Sequence, residues 1–211
     1  MAAAPPPEIV AVTAGSPVTP HFRVIEFPEA LMSRIRKTTW HAGCPAPLDQ
    51  LQLLELSYWD FNGIPRTGLL IVNRAVAPEV LDVFKKLYEH GFLIERMQPV
   101  EDYDGDDGRS MQANNTSAFN CRDVTGKPGR FSNHSWGRAI DINPLTNPML
   151  LHGKFLPPEG ARFEDRSKAT PGSILDRSFI VEQFRSLGWT WGGEWADPDY
   201  QHFEKPDPNR K

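Results

Sequence analysis

The spacing of apolar positions changes several times along the chain, and each change predicts an element. In "FPEALMSRIRKTTW", Leu31, Met32 and Ile35 share one face of a short helix. Two apolar, β-prone runs in "LQLLELSYWDFNGIPRTGLLIVN" flank Asn62-Gly63. They predict a hairpin with a type I′ turn, whose central residues both need positive φ. "APEVLDVFKKLYEHGF" predicts the clearest helix, with Val80, Val83, Phe84, Leu87 and Tyr88 as an apolar stripe and Gly91 at the C-terminal cap. "FLIERMQPV" reads as a strand, and "AIDIN" as another that ends at Pro144. "SFIVEQFRSLG" is an amphipathic helix with Ile180, Phe184 and Leu187 inward and Gly188 as its stop.

Residues 101–130 and 144–177 lack periodicity. Long irregular segments inside a compact domain are often functional. Residues 1–20 are an Ala/Pro/Thr-rich leader, flexible or extended, and residues 206–211 are a polar tail. No internal repeat is present. The expected fold is a small α+β domain over residues 21–205. A mainly antiparallel sheet would carry the candidate site, with helices near 78–90 and 178–187 packed on it.

With 211 residues, 39% of them hydrophobic and 24% charged, the chain suits one folded, soluble domain. No apolar run is long enough to span a membrane. The net charge of −4 and the lack of a basic stripe argue against nucleic acid, and a monomer is expected. "MAAAPPPEIV" has neither the charged start nor the apolar stretch of a signal peptide. Either the protein is cytoplasmic or this is a mature form. Cys44 and Cys121 read equally well as two reduced thiols or as one disulfide of a secreted protein.

Candidate chemistry begins at "FSNHSWGRAIDIN", which holds His134 and Asp141. A spacing of seven fits one helical face, but Gly137 and the β-branched "AIDI" favour a turn leading into a strand. Alternation then turns Ile140 and Ile142 to the core and Asp141 to the opposite face. A lone His near an Asp is usually structural. "DPDYQHFE" changes the balance, because it adds His202 and, three residues earlier, Asp199. Two imidazoles and a carboxylate with water in a fourth place make an open, catalytic type of zinc site. Hydrolysis there also needs a base, and Asp199 is the first choice, with Glu194 and Asp197 as neighbouring competitors.

"SNHSWGRAIDI" and "WTWGGEWADPDYQHFE" resemble the S-x-H-x-x-G-x-A-x-D and W, GG, W, D-x-x-H-F patterns of zinc peptidases that cut peptidoglycan peptides. These are the D-alanyl-D-alanine carboxypeptidases and L-alanyl-D-glutamate endopeptidases. The resemblance spans roughly residues 50–205. It implies a fold like that of the D,D-peptidases and the Hedgehog signalling domain. It also implies one Zn²⁺ on His134, Asp141 and His202, Asp199 as base, and peptidoglycan peptides as partners. Asp199 stands where the vancomycin-resistance dipeptidase branch has Glu, so the chain is more similar to the endopeptidases and related carboxypeptidases. The family's upstream arginine corresponds to Arg122, which would bind substrate or the developing oxyanion; its bland alternative is a surface pair with Asp123. Ser132 is assigned to the substrate side or to shaping the turn. Trp189, Trp191 and Trp195 are expected in core and pocket wall, with Trp191 at the substrate, and Gly192 and Gly193 in a tight turn near the metal. Similar secreted bacterial proteins carry "CP" and "FNCR" segments, which implies a Cys44–Cys121 disulfide and a secreted or cell-envelope location.

Two rival readings accompany this one. The first is a non-catalytic, zinc-containing wall-binding module on the same scaffold. The second is a thiol peptidase using Cys121 and His134. His21, His41, His90 and His152 lack a motif and are assigned to the surface or loops, and the acidic "EDYDGDD" to a solvated loop.

Overall fold

A computed structural model describes residues 19–207. The leader up to residue 18 and the last four residues of the tail lie outside them. Among the described residues the architecture is α+β, built from small and mainly antiparallel sheets rather than one. The largest sheet orders Phe22–Ile25, Leu51–Trp59 and Pro65–Asn73. The second orders Thr190–Trp191, His202–Glu204 and Ala139–Asp141 and carries two of the candidate ligands. One two-stranded pair, Arg96–Met97 with Asn115–Thr116, is parallel.

Four helices are present among the described residues: α1 (Glu29–Ile35), α2 (Ala77–His90), α3 (Asp107–Gln112) and α4 (Phe179–Ser186). The expected stripe of α2 is real, because Val80, Val83, Phe84 and Leu87 are all buried, and Gly91 at φ 76° closes the helix in the left-handed conformation. That stripe packs on Leu54, Leu56, Leu70 and Val72 of the large sheet. The same core continues through Ile180, Val181 and Phe184 of α4 to Ile140, Ile142 and Phe203 of the second sheet. Phe184 stacks on Phe203 with ring centroids 4.2 Å apart. One hydrophobic core therefore backs both sheets, and a second cluster of Leu31, Ile35, Phe119 and Cys121 covers Leu53 and Ile71 on the other face of the large sheet.

Two local expectations change. The hairpin at Asn62-Gly63 is real, but it is not a two-residue type I′ turn. Residues 60–64 form the loop, and Gly63 has positive φ while Asn62 does not. The cause is Asp60, whose carboxylate accepts from the Asn62 and Ile64 amides and from Arg66 Nε, all at 2.9 Å. "FLIERMQPV" contributes only Arg96–Met97 as strand.

Candidate metal centre and its cleft

Asp141 and His202 face each other across antiparallel neighbours, so their side chains leave the sheet on the same side. Ile140 and Ile142 alternate inward and are fully buried, as the pattern predicted. His134 does not sit on the sheet. It lies on a single 3-10 turn, Asn133–Trp136, capped by the Ser132 hydroxyl, which accepts from the His134 amide, and closed by Gly137 at φ 64°. Glycine is required there, because an added Cβ would lie 2.7 Å from the Asn73 nitrogen. The turn is thus pressed against the end of the large sheet, and Asn73 donates to the Gly137 carbonyl at 2.8 Å.

Three donor atoms converge. His134 Nε2 is 3.2 Å from His202 Nδ1 and 3.1 Å from an Asp141 oxygen, and His202 Nδ1 is 2.9 Å from the other Asp141 oxygen. A tetrahedral ion with legs of about 2.0–2.1 Å needs donors roughly 3.3 Å apart, so the cluster fits zinc. The other ring nitrogens have acceptors. His134 Nδ1 is 2.5 Å from the Ala118 carbonyl, and His202 Nε2 is 3.0 Å from Glu204 Oε2.

Residues 117–122 strap this centre to the rest of the fold. Ser117 pairs with Asp141 through both backbone bonds, and the Phe119 amide donates to the Ile71 carbonyl. Cys121 is joined to Cys44, and the Arg122 amide donates to Ser135 Oγ. The disulfide removes Cys121 as a free nucleophile, so the thiol-peptidase reading is set aside.

Residues 125–205 match the sequence profile of a family described as D-alanyl-D-alanine carboxypeptidase. Over that segment the chain is similar to the D-alanyl-D-alanine carboxypeptidase family. No curated protein and no solved structure matches the chain. The family match supports a peptidase, and the whole ligand cluster and Asp199 fall within the matched segment. Arg122 and the disulfide precede it.

Asp199 lies beside the cluster in a cleft of about 240 Å³ that the ligands line. Its carboxylate is buried, and Oδ1 has no hydrogen-bond partner. Burial pushes its pKa up, the His202 charge pulls it back and Asp141 adds to the rise, leaving it at about 6. Such a carboxyl can take and release a proton near neutral pH. The position depends on Gly192, whose carbonyl accepts from the Asp199 amide. A Cβ on Gly192 would stand 2.7 Å from the Asp199 carbonyl oxygen. The competing bases are engaged elsewhere: Glu194 pairs with Arg185 at 2.7 Å, and Asp197 with His152.

Burial alone would lower the pKa of His202. Its bonds to Asp141 and Glu204 and the Asp141 charge outweigh that and raise it to about 10. Burial would raise Asp141, but His134 and His202 together hold it well below the usual carboxylate range.

Arg122 lines the same cleft. It pairs with Asp107 of α3 at 3.0 Å, not with the Asp123 carboxylate, while Nη1 donates to the Asp123 carbonyl and Nε is buried without a partner. The acidic run is therefore not merely a solvated loop. Asp106 caps α3, and Asp107 reaches the cleft. The capping aspartate three residues before Arg109 was a readable signal for that helix. Ser132 lines the cleft while it caps the His134 turn.

Trp191 departs from expectation. It belongs to the hydrophobic core, and its Nε1 donates to the Tyr200 carbonyl, because its strand is paired with Phe203 on the core side. Trp195 takes the cleft position, 39% exposed and with its ring 5.3 Å from that of His202. Glu204, and Lys127 and Arg130 of the strand Lys127–Phe131, also line the cleft and were not singled out by sequence.

Proposed function

We propose that this chain is a zinc-dependent peptidase that hydrolyses a peptide bond in peptidoglycan stem peptides, with removal of the C-terminal residue as the favoured reaction. The carrying observation is the convergence of His134, Asp141 and His202 donors in a cleft beside the Asp199 carboxylate, whose Oδ1 has no hydrogen-bond partner. Zinc held by the three residues would polarise the scissile carbonyl and lower the pKa of water. Asp199 accepts the proton of the attacking water as its oxygen bonds to the carbonyl carbon. The same carboxyl then passes the proton to the departing amine as the C–N bond breaks, so atoms and charge balance.

Arg122 turns its guanidinium to the substrate carboxylate or to the developing oxyanion. Lys127 and Arg130 also line the cleft, and their positive charge suits a free terminal carboxylate, which favours the carboxypeptidase over the endopeptidase reaction. Ser132 holds the His134 turn, and Trp195 forms a wall for the peptide. The Cys44–Cys121 disulfide suits an oxidising compartment, in keeping with a secreted or cell-envelope enzyme. The rival non-catalytic module is disfavoured by Asp199, which has no structural partner on Oδ1 to explain its burial.

Mass spectrometry of products from purified muropeptides tests the reading. A carboxypeptidase releases a single terminal D-alanine. Release of a longer peptide instead would assign the endopeptidase reaction, and intact muropeptides with zinc-loaded protein would support the binding module.

A further inference from the structure

We infer that Glu204 is a positioning residue that fixes the metal-binding tautomer of His202, an inference that rests on the triad holding a metal. His202 turns Nδ1 towards Asp141 and His134, so Nδ1 is the nitrogen that ligates. It can do so only with its lone pair free, which places the ring proton on Nε2. That N–H needs an acceptor, and Glu204 Oε2 stands 3.0 Å away. An ionised carboxylate accepts and cannot donate, so it selects this tautomer.

Glu204 is itself braced. Asn133 Nδ2 donates to the same Oε2 at 2.7 Å. Asn133 begins the turn that carries His134, so one turn supplies the first ligand and steadies the carboxylate that orients the third. Strand alternation puts Glu204 on the face of His202, and its cross-strand neighbours are the small Ala139 and Thr190, which leave the carboxylate room to reach the ring. His134 is oriented by a backbone carbonyl, so among the described residues Glu204 is the side chain that performs this task for the pair. Partners of this kind are worth about 10–100-fold in metal affinity.

The test is the zinc Kd of wild type, Glu204→Ala, Glu204→Gln and Asn133→Ala, measured by competition with a chromogenic chelator. It is joined to ¹⁵N NMR of the His202 ring in the zinc-loaded protein. Glu204→Ala is expected to weaken zinc by about 10–100-fold. Glu204→Gln and Asn133→Ala should fall between it and wild type, and the wild-type ring should carry its proton on Nε2. Wild-type affinity in Glu204→Ala, or a proton on Nδ1, would overturn the inference. If Glu204→Ala does not fold, wild-type affinity in Glu204→Gln overturns it equally. Failure of the wild type itself to bind zinc would instead sink the metal reading on which this rests.

Discussion

His202 and Asp141 stand directly opposite each other on adjacent antiparallel strands, with Nδ1 2.9 Å from Oδ1. Sixty-one residues separate them in sequence, yet strand register alone brings them together. A slip of one residue would send one side chain into the core and dismantle the cluster. The core residues Ile140 and Phe203, paired in the same register, oppose that slip.

In the proposed role of base, Asp199 would set stability against chemistry. Its folded pKa is raised from 3.8 to about 6, so ionising it costs the folded state, and stability is lost as pH climbs through that range. Asp199→Asn should therefore melt higher than wild type at pH 7 in the metal-free protein and retain zinc, while turnover falls by roughly 10²–10⁴-fold. Calorimetry and a peptide-release assay check both halves; undiminished turnover would remove Asp199 as the base.

The ligands set an opposite pair of limits on the metal-free fold. His202 has a folded pKa raised to about 10. Its stabilisation is complete below about 6.5 and is lost as pH rises towards 10. Asp141 is lowered, so its share is present above about 4 and lost in acid. With zinc bound, His202 would ligate as the neutral ring, and the alkaline loss would disappear. The rise in Tm on adding zinc is expected to grow between pH 6 and 9. A rise independent of pH would contradict this assignment.

The disulfide links positions 77 residues apart. By the chain-entropy argument its removal costs on the order of 4 kcal/mol. Cys121 adjoins Arg122, and the Ala118 carbonyl on the same strap orients His134. A Cys44→Ser/Cys121→Ser variant should both melt lower and raise KM at a temperature where it remains folded. A lower Tm with unchanged KM would show that the strap holds without its bond.

Much of this was legible in the sequence because local periodicity decides it. The stripe of α2, its Gly91 cap and the inward isoleucines around Asp141 follow from spacing alone. The two motifs likewise singled out the residues that converge in space. What escaped depended on tertiary contact. Asp60 replaced the expected two-residue turn by taking three donors. Trp191 went to the core because its strand pairs with Phe203, leaving the cleft to Trp195. The pairing of Arg122 with Asp107 joins an irregular segment to a short helix, and no pattern in residues 101–130 announces it.

In the proposed reaction His134, Asp141 and His202 hold one zinc ion that hydrolysis requires. The direct measurement is titration of zinc into chelator-stripped protein, with muropeptide hydrolysis and bound metal followed together. Stripped protein is expected to show no turnover, with recovery that levels off at one equivalent of zinc, and His202→Ala is expected to show neither the recovery nor the bound metal. Hydrolysis that survives stripping, or recovery with no zinc bound at this cluster, would contradict it.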